Sequence, residues 1–155
     1  MNLRYIPMPD EEARRLWQGG RDAYGNRPER RISDGEGVPC RHCLRNVDAG
    51  EPYLILAYRP FSSVQPYAET GPIFMHAEEC GPPDAHSFPP ILSSSKDYLL
   101  RGYSADERIV YGTGGVIAAE KLEQRAEELL ERPDVAYVHV RSAKNNCYQC
   151  RIETA

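Results

Sequence analysis

The chain has 155 residues, with 19 lysines and arginines against 23 aspartates and glutamates, giving a formal charge of -4 at pH 7. Hydrophobic content of 41% with 27% charged residues describes a soluble globular protein, excludes a disordered or membrane-embedded one, and suits one domain with one substantial core. The mild acidity argues against a general nucleic-acid binder, which would carry a basic stripe; the densest basic run, RPERR at 27–31, is interrupted by Glu29 and reads as a solvated patch.

The first residues, MNLRYIPMPDEEARRLW, carry early charges and no apolar run of signal-peptide length, and no stretch of the chain is apolar enough to span a bilayer. A cytoplasmic location follows as the expectation. In that reducing setting the five cysteines do not read as a disulfide framework, and their odd number could not pair completely within one chain. LRYIPMP reads as a short strand that Pro7 and Pro9 confine to an edge or terminate. Asp10 then stands as N-cap of a helix in which Ala13, Leu16 and Trp17 recur at helical spacing, with Gly19-Gly20 as its stop. RDAYGNRPERRISDGEG, residues 21–37, reads as one long loop.

After the cysteine pair of GVPCRHC, EPYLILAYRPF is a dense strand run and GPIFMHA a shorter one. Residues 81–97 hold four prolines and a serine run, as an irregular surface excursion would. YLLRGYSADERIVYGTGGVI predicts two strands joined by the turn SADER. AAEKLEQRAEELLERPD is an amphipathic helix, with Ala118, Leu122, Ala126, Leu129 and Leu130 on one face and Pro133 ending the pattern. VAYVHVRS and CYQCRIE then form strands joined by the turn AKNN. The sum is an α+β domain spanning 1–155, with a mixed, mostly antiparallel sheet, two main helices and long irregular loops.

Chemistry concentrates in the cysteines and histidines, which form three groups: Cys40 and Cys43 with His42 between, His76 and Cys80, and Cys147 and Cys150. Structural zinc takes four tetrahedral sulfur or nitrogen ligands, commonly offered as two short-spaced pairs, and Cys40, Cys43, His76 and Cys80 have that form. Gly37 and Pro39 let the backbone turn ahead of the first pair. The third group differs: on a regular strand, residues three apart face opposite ways, so Cys147 and Cys150 read as packing. A site made of both C-x-x-C pairs, Cys40, Cys43, Cys147 and Cys150, competes with the favoured set, as do buried inert thiols and a reactive cysteine.

His42 reads as an exposed loop histidine, with a ligand or base role as the sharper alternative. His139 lies on a strand among valines and reads as a satisfied sheet histidine; His86 has no assigned role. YGTGGVIAAEK lacks the lysine and serine or threonine of a phosphate loop and reads as a turn or bulge. No G-x-S-x-G, H-E-x-x-H or paired-carboxylate motif appears. The acids of SDGEG and Glu69 are candidates to orient a histidine.

ERRISDGEGVPCRHCLRNVDAGEPYLILAYRPF, PYAETGPIFMHAEEC, LLRGYSADERIVYGTGG and VAYVHVRSAKNNCYQCRIE, in that order, resemble the bacterial domain-of-unknown-function family 1203, from about residue 30 to 153. The resemblance implies a compact bacterial domain with no assigned activity, substrate or catalytic residue. It also implies that a metal at Cys40, Cys43, His76 and Cys80 belongs to a subgroup of that family. Three readings follow. The leading one is a zinc-binding domain. The second is an enzyme pairing Cys40 or Cys80 with His42 or His76 as base. The third is a ligand-binding or interaction module whose pocket is lined by YRPF and PYAETGPIF. No partner is named by the sequence, and its strand edges leave pairing of two chains open.

Overall fold

A computed structural model describes residues 2–155. The chain runs β1 (Leu3–Ile6), α1 (Asp10–Trp17), β2 (Glu29–Ile32), β3 (Pro52–Tyr58), β4 (Gly71–His76), β5 (Asp97–Tyr103), β6 (Gly115–Ala118), α2 (Leu122–Leu130), β7 (Tyr137–Ser142) and β8 (Tyr148–Thr154). The fold is α+β, as the sequence predicts, but its strands divide between two sheets. A larger one has the order β1-β8-β7-β5-β6 and a smaller one the order β2-β3-β4, with every ladder antiparallel.

Alternation along β7 explains how the larger sheet is covered on both faces. Val138 and Val140 point into the main core, where Leu122, Ala126 and Leu129 of α2 meet them. Tyr137, His139 and Arg141 alternate with them on β7 and are buried too. This second face meets the smaller sheet and its flanking loops, through ring contacts of Tyr58 with Tyr148 at 5.9 Å and of Phe61 with Tyr103 at 5.5 Å. A second core lies under β3 and β4. It takes Ala13 and Leu16 from α1 together with Val38, Cys40 and Cys43.

Four local expectations are corrected. Residues 21–37 are not one loop, because β2 pairs with β3 in the register Glu29 to Ile55 and Ile32 to Pro52. All four residues of β2 are exposed, so it carries no apolar alternation and owes its strand state to the ladder offered by the edge of β3. Asp10 is not the N-cap: Pro9 holds that position without a side-chain cap, and the Asp10 carboxylate turns to His42. The turn SADER closes as expected, with Ser104 N–H donating to the Arg108 carbonyl at 2.8 Å, yet the returning strand β6 starts only at Gly115. Finally, the proline-rich excursion is anchored by a 3-10 turn at Pro90–Ser93 that buries Ile91 and Leu92 in the main core. Among the described residues no helix is long and apolar enough to cross a membrane.

Candidate metal centre

The first cysteine pair sits in a tight turn. Leu44 N–H donates to the Cys40 carbonyl at 3.0 Å, and Cys40 N–H donates to the Arg45 carbonyl at 3.0 Å. To close it, Leu44 adopts φ of +59°, a left-handed conformation usually left to glycine or asparagine. The choice of leucine is explained by its side chain, which is fully buried in the main core and so pins the turn to the larger sheet. Arg41 adds a second pin: its Nε–H donates to the Tyr148 carbonyl at 2.6 Å and its Nη1–H to the Pro39 carbonyl at 2.7 Å.

The turn also lies along the free edge of β4. Cys40 forms a parallel bridge with Phe74, and Arg41 N–H donates to the Phe74 carbonyl at 3.0 Å. That register delivers His76, at the end of β4, to the cysteines. The backbone N–H of His76 donates to Cys40 Sγ at 3.3 Å, and its ring nitrogen Nδ1 stands 3.5 Å from Cys43 Sγ. The chain then bends, returning Cys80 Sγ to 3.8 Å from Cys40 Sγ.

The structure therefore brings together Cys40, Cys43, His76 and Cys80, with all four donor atoms within 4.8 Å of one another. A tetrahedral zinc ion with Zn–S of about 2.3 Å and Zn–N of about 2.0 Å needs S–S edges of about 3.8 Å and S–N edges of about 3.5 Å. The 3.8 Å and 3.5 Å separations just given equal those edges. The cluster could hold a metal ion.

The electrostatics of the cluster without an ion are those of three sulfurs competing for charge. Hydrogen bonding to the Cys40 and Cys80 sulfurs, then to His76, holds the Cys43 thiol far below its ordinary range, against the effect of burial. The Cys40 and Cys43 sulfurs, with burial, push Cys80 far above it. His76 is raised to about 10 by its hydrogen bonds to Cys40 and Cys43. A divalent cation at the centre would replace this competition with a shared attraction. Behind His76, Nε2 lies 3.5 Å from the Glu51 carboxylate, an arrangement that orients a ligating imidazole.

Residues 37–154 match the family model described as Protein of unknown function (DUF1203). The chain belongs to the DUF1203 family. No curated protein and no solved structure matches it. The DUF1203 match includes all four clustered residues, whereas α1 and β2 lie outside it.

Two residues of α1 nonetheless reach the cluster of this DUF1203 chain. His42 is not an exposed loop histidine: only 2% of its surface is accessible. Its Nε2 is 2.7 Å from Asp10 Oδ1 and its Nδ1 is 3.2 Å from Cys80 Sγ. Trp17 packs edge-on against the His42 ring at 5.2 Å and donates from Nε1 to the His76 carbonyl at 2.8 Å, closing the site on that side. The helical spacing of Trp17 was a signal that it faces inward; nothing in the sequence linked Asp10 to His42.

The remaining candidates lie elsewhere. Cys150 is wholly buried in the main core, and burial pushes its thiol up to about 12. Cys147 is partly exposed, stands just before β8 and is not in the cluster. His139 is not the satisfied sheet histidine expected: it is enclosed by aromatic rings at 4.5–5.2 Å, and its buried Nε2 has no hydrogen-bond partner among the described residues; burial, then Arg141, lowers its pKa well below the usual range. Glu69 orients no histidine and instead bridges Arg101 at 2.6 Å and Arg141 at 3.5 Å. In SDGEG, Asp34 accepts from the Glu36 backbone at 2.8 Å and turns the exposed loop locally.

Proposed function

We propose that this chain is a zinc protein in which Cys40, Cys43, His76 and Cys80 hold one ion in a structural role. The single observation that carries the proposal is the convergence of four soft and borderline donors with two edges of tetrahedral length. Four protein ligands leave no position open for water or substrate, which separates structural from catalytic zinc. The ion would cross-link the turn at 40–43 to the 76–80 segment and so join the smaller sheet to elements that Leu44 and Arg41 anchor in the larger one.

A calorimetric zinc titration of metal-free protein tests this reading, with fluorescence of Trp17, the sole tryptophan, as a parallel signal. The expected stoichiometry is one ion per chain. His76 and Cys80 are raised, so both carry protons at pH 7 that the metal must displace. Protons should therefore be released as zinc binds, and affinity should fall as the pH is lowered. Binding without proton release, or no binding, would count against the four-residue set.

A second reading rests on the line of Asp10, His42 and Cys80, with contacts of 2.7 and 3.2 Å. An acid orienting a base that faces a thiol is the arrangement of a nucleophilic cysteine, although here the Cys40 and Cys43 sulfurs hold the Cys80 thiol in its protonated form. The zinc titration together with alkylation separates the two: a chain that refuses zinc, yet alkylates at Cys80 faster than at Cys147 and loses that advantage in Asp10→Asn, has a reactive thiol at Cys80 in place of a metal ligand.

A further inference from the structure

The three sulfurs of the cysteine cluster differ in what holds them. Cys40 and Cys43 are buried, at 0% and 2% exposure, in the turn that Leu44 and Arg41 pin to the larger sheet. Cys80 is partly exposed and lines two clefts, one shared with Glu51 and His76 and the other with Asp10 and Trp17. Small solutes therefore approach the cluster on the Cys80 side.

The backbone around Cys80 is also the least anchored part of the site. β4 ends at His76, and Ala77 N–H still donates to the Pro52 carbonyl at 3.1 Å. Beyond it, among the described residues, no backbone group of residues 78–83 makes a hydrogen bond. Pro82 and Pro83 have no N–H to offer one. The polar contacts of this segment are those of the Cys80 sulfur, 3.8 Å from Cys40 Sγ and 3.2 Å from His42 Nδ1. A segment tethered by one side chain follows that side chain when it moves.

We propose, resting on the metal reading above, that Cys80 and Cys40 form an oxidation site for a hydroperoxide, at which a disulfide closes and the ion is released. Sulfurs that ligate zinc are thiolates whatever their protonation in the metal-free chain. With hydrogen peroxide, the Cys80 thiolate attacks one oxygen: an S–O bond forms, the O–O bond breaks and hydroxide leaves. The Cys40 thiolate then attacks the Cys80 sulfur: the S–S bond forms, the S–O bond breaks and a second hydroxide leaves. Two electrons pass from the sulfur pair to the peroxide, and two protons from solvent turn the hydroxides into water.

Placement selects Cys40 as the partner. Its sulfur stands 3.8 Å from that of Cys80, and a disulfide needs about 2.05 Å, a gap that movement of residues 78–83 closes without disturbing the turn. Cys40 and Cys43, both fixed in one pinned turn, lack that freedom. After the bond forms, Cys43 and His76 are left as two donors, half of what structural zinc takes.

The experiment treats native protein, purified with zinc, with hydrogen peroxide. Zinc content is read before treatment, and release is followed with a colorimetric chelator. The disulfide is mapped by mass spectrometry of unreduced peptides after free thiols are blocked. The expected result is one Cys40–Cys80 bond per ion released, reversed by dithiothreitol with added zinc. Cys80→His keeps a fourth zinc donor but no sulfur at the open position, and should release the ion about tenfold more slowly. Cys147→Ser removes the other partly exposed thiol and should leave release unchanged. A chain without zinc before treatment fails the metal reading, and the oxidation site with it. An ion that stays bound, an ion released with the bond between Cys40 and Cys43 or through Cys147, or equal release from Cys80→His overturns the oxidation site and leaves the metal reading standing.

Discussion

Cys40→Ser, purified in the presence of zinc, is expected to carry less than about a tenth of an ion per chain, against one in the native protein. Cys40 is the hub of the cluster: it is wholly buried, accepts the His76 N–H at 3.3 Å and faces Cys80 at 3.8 Å. Serine offers a shorter and harder donor that cannot restore a sulfur edge. Because ligand binding to the native state adds to its stability, the variant should also lose about 4 kcal/mol where free zinc exceeds the native dissociation constant a thousandfold. Elemental mass spectrometry and thermal melts with and without chelator read both effects. Chelator should destabilise the native chain and leave Cys40→Ser unchanged. Full zinc retention in the variant would remove Cys40 from the ligand set.

Leu44→Ala should lower stability by about 3 kcal/mol while leaving zinc stoichiometry at one. The side chain is fully buried among residues of the larger sheet, and its loss leaves a cavity that the turn cannot collapse to fill. The backbone angle makes a sharper version. At φ of +59° a leucine or alanine is strained, whereas glycine is not. Leu44→Gly should therefore be at least as stable as Leu44→Ala, with the relieved strain worth about 1 kcal/mol. Urea unfolding of the two variants measures the difference. A Leu44→Gly protein markedly weaker than Leu44→Ala would mean that the turn is not held in the left-handed conformation.

The parts of this fold that were legible in the sequence are those written in local periodicity. The pattern of Leu122, Ala126 and Leu129 marks the buried face of α2, and the prolines of the first segment mark β1 as an edge strand, which it is. The division into two sheets was not legible, because strand partnership is a long-range property that no local pattern encodes. β2 was missed for a related reason: Glu29, Arg30, Arg31 and Ile32 are all exposed, and only the edge of β3 makes them a strand. In the candidate site, the spacings of Cys40 with Cys43 and of His76 with Cys80 were visible as pairs. Their union depends on the bridge from Cys40 to Phe74, which the sequence does not display. His42 was misread because a histidine in a polar turn ordinarily faces water, and its partner Asp10 lies in another element. Glu69 was misread in the same way, its true partners being Arg101 and Arg141.

X-ray absorption at the zinc edge of zinc-loaded native protein tests the central claim most directly, since it reads the donors around the ion itself. Ligation by Cys40, Cys43, Cys80 and His76 predicts three sulfurs at about 2.3 Å and one nitrogen at about 2.0 Å. A shell dominated by oxygen, or one with four sulfurs, would contradict it.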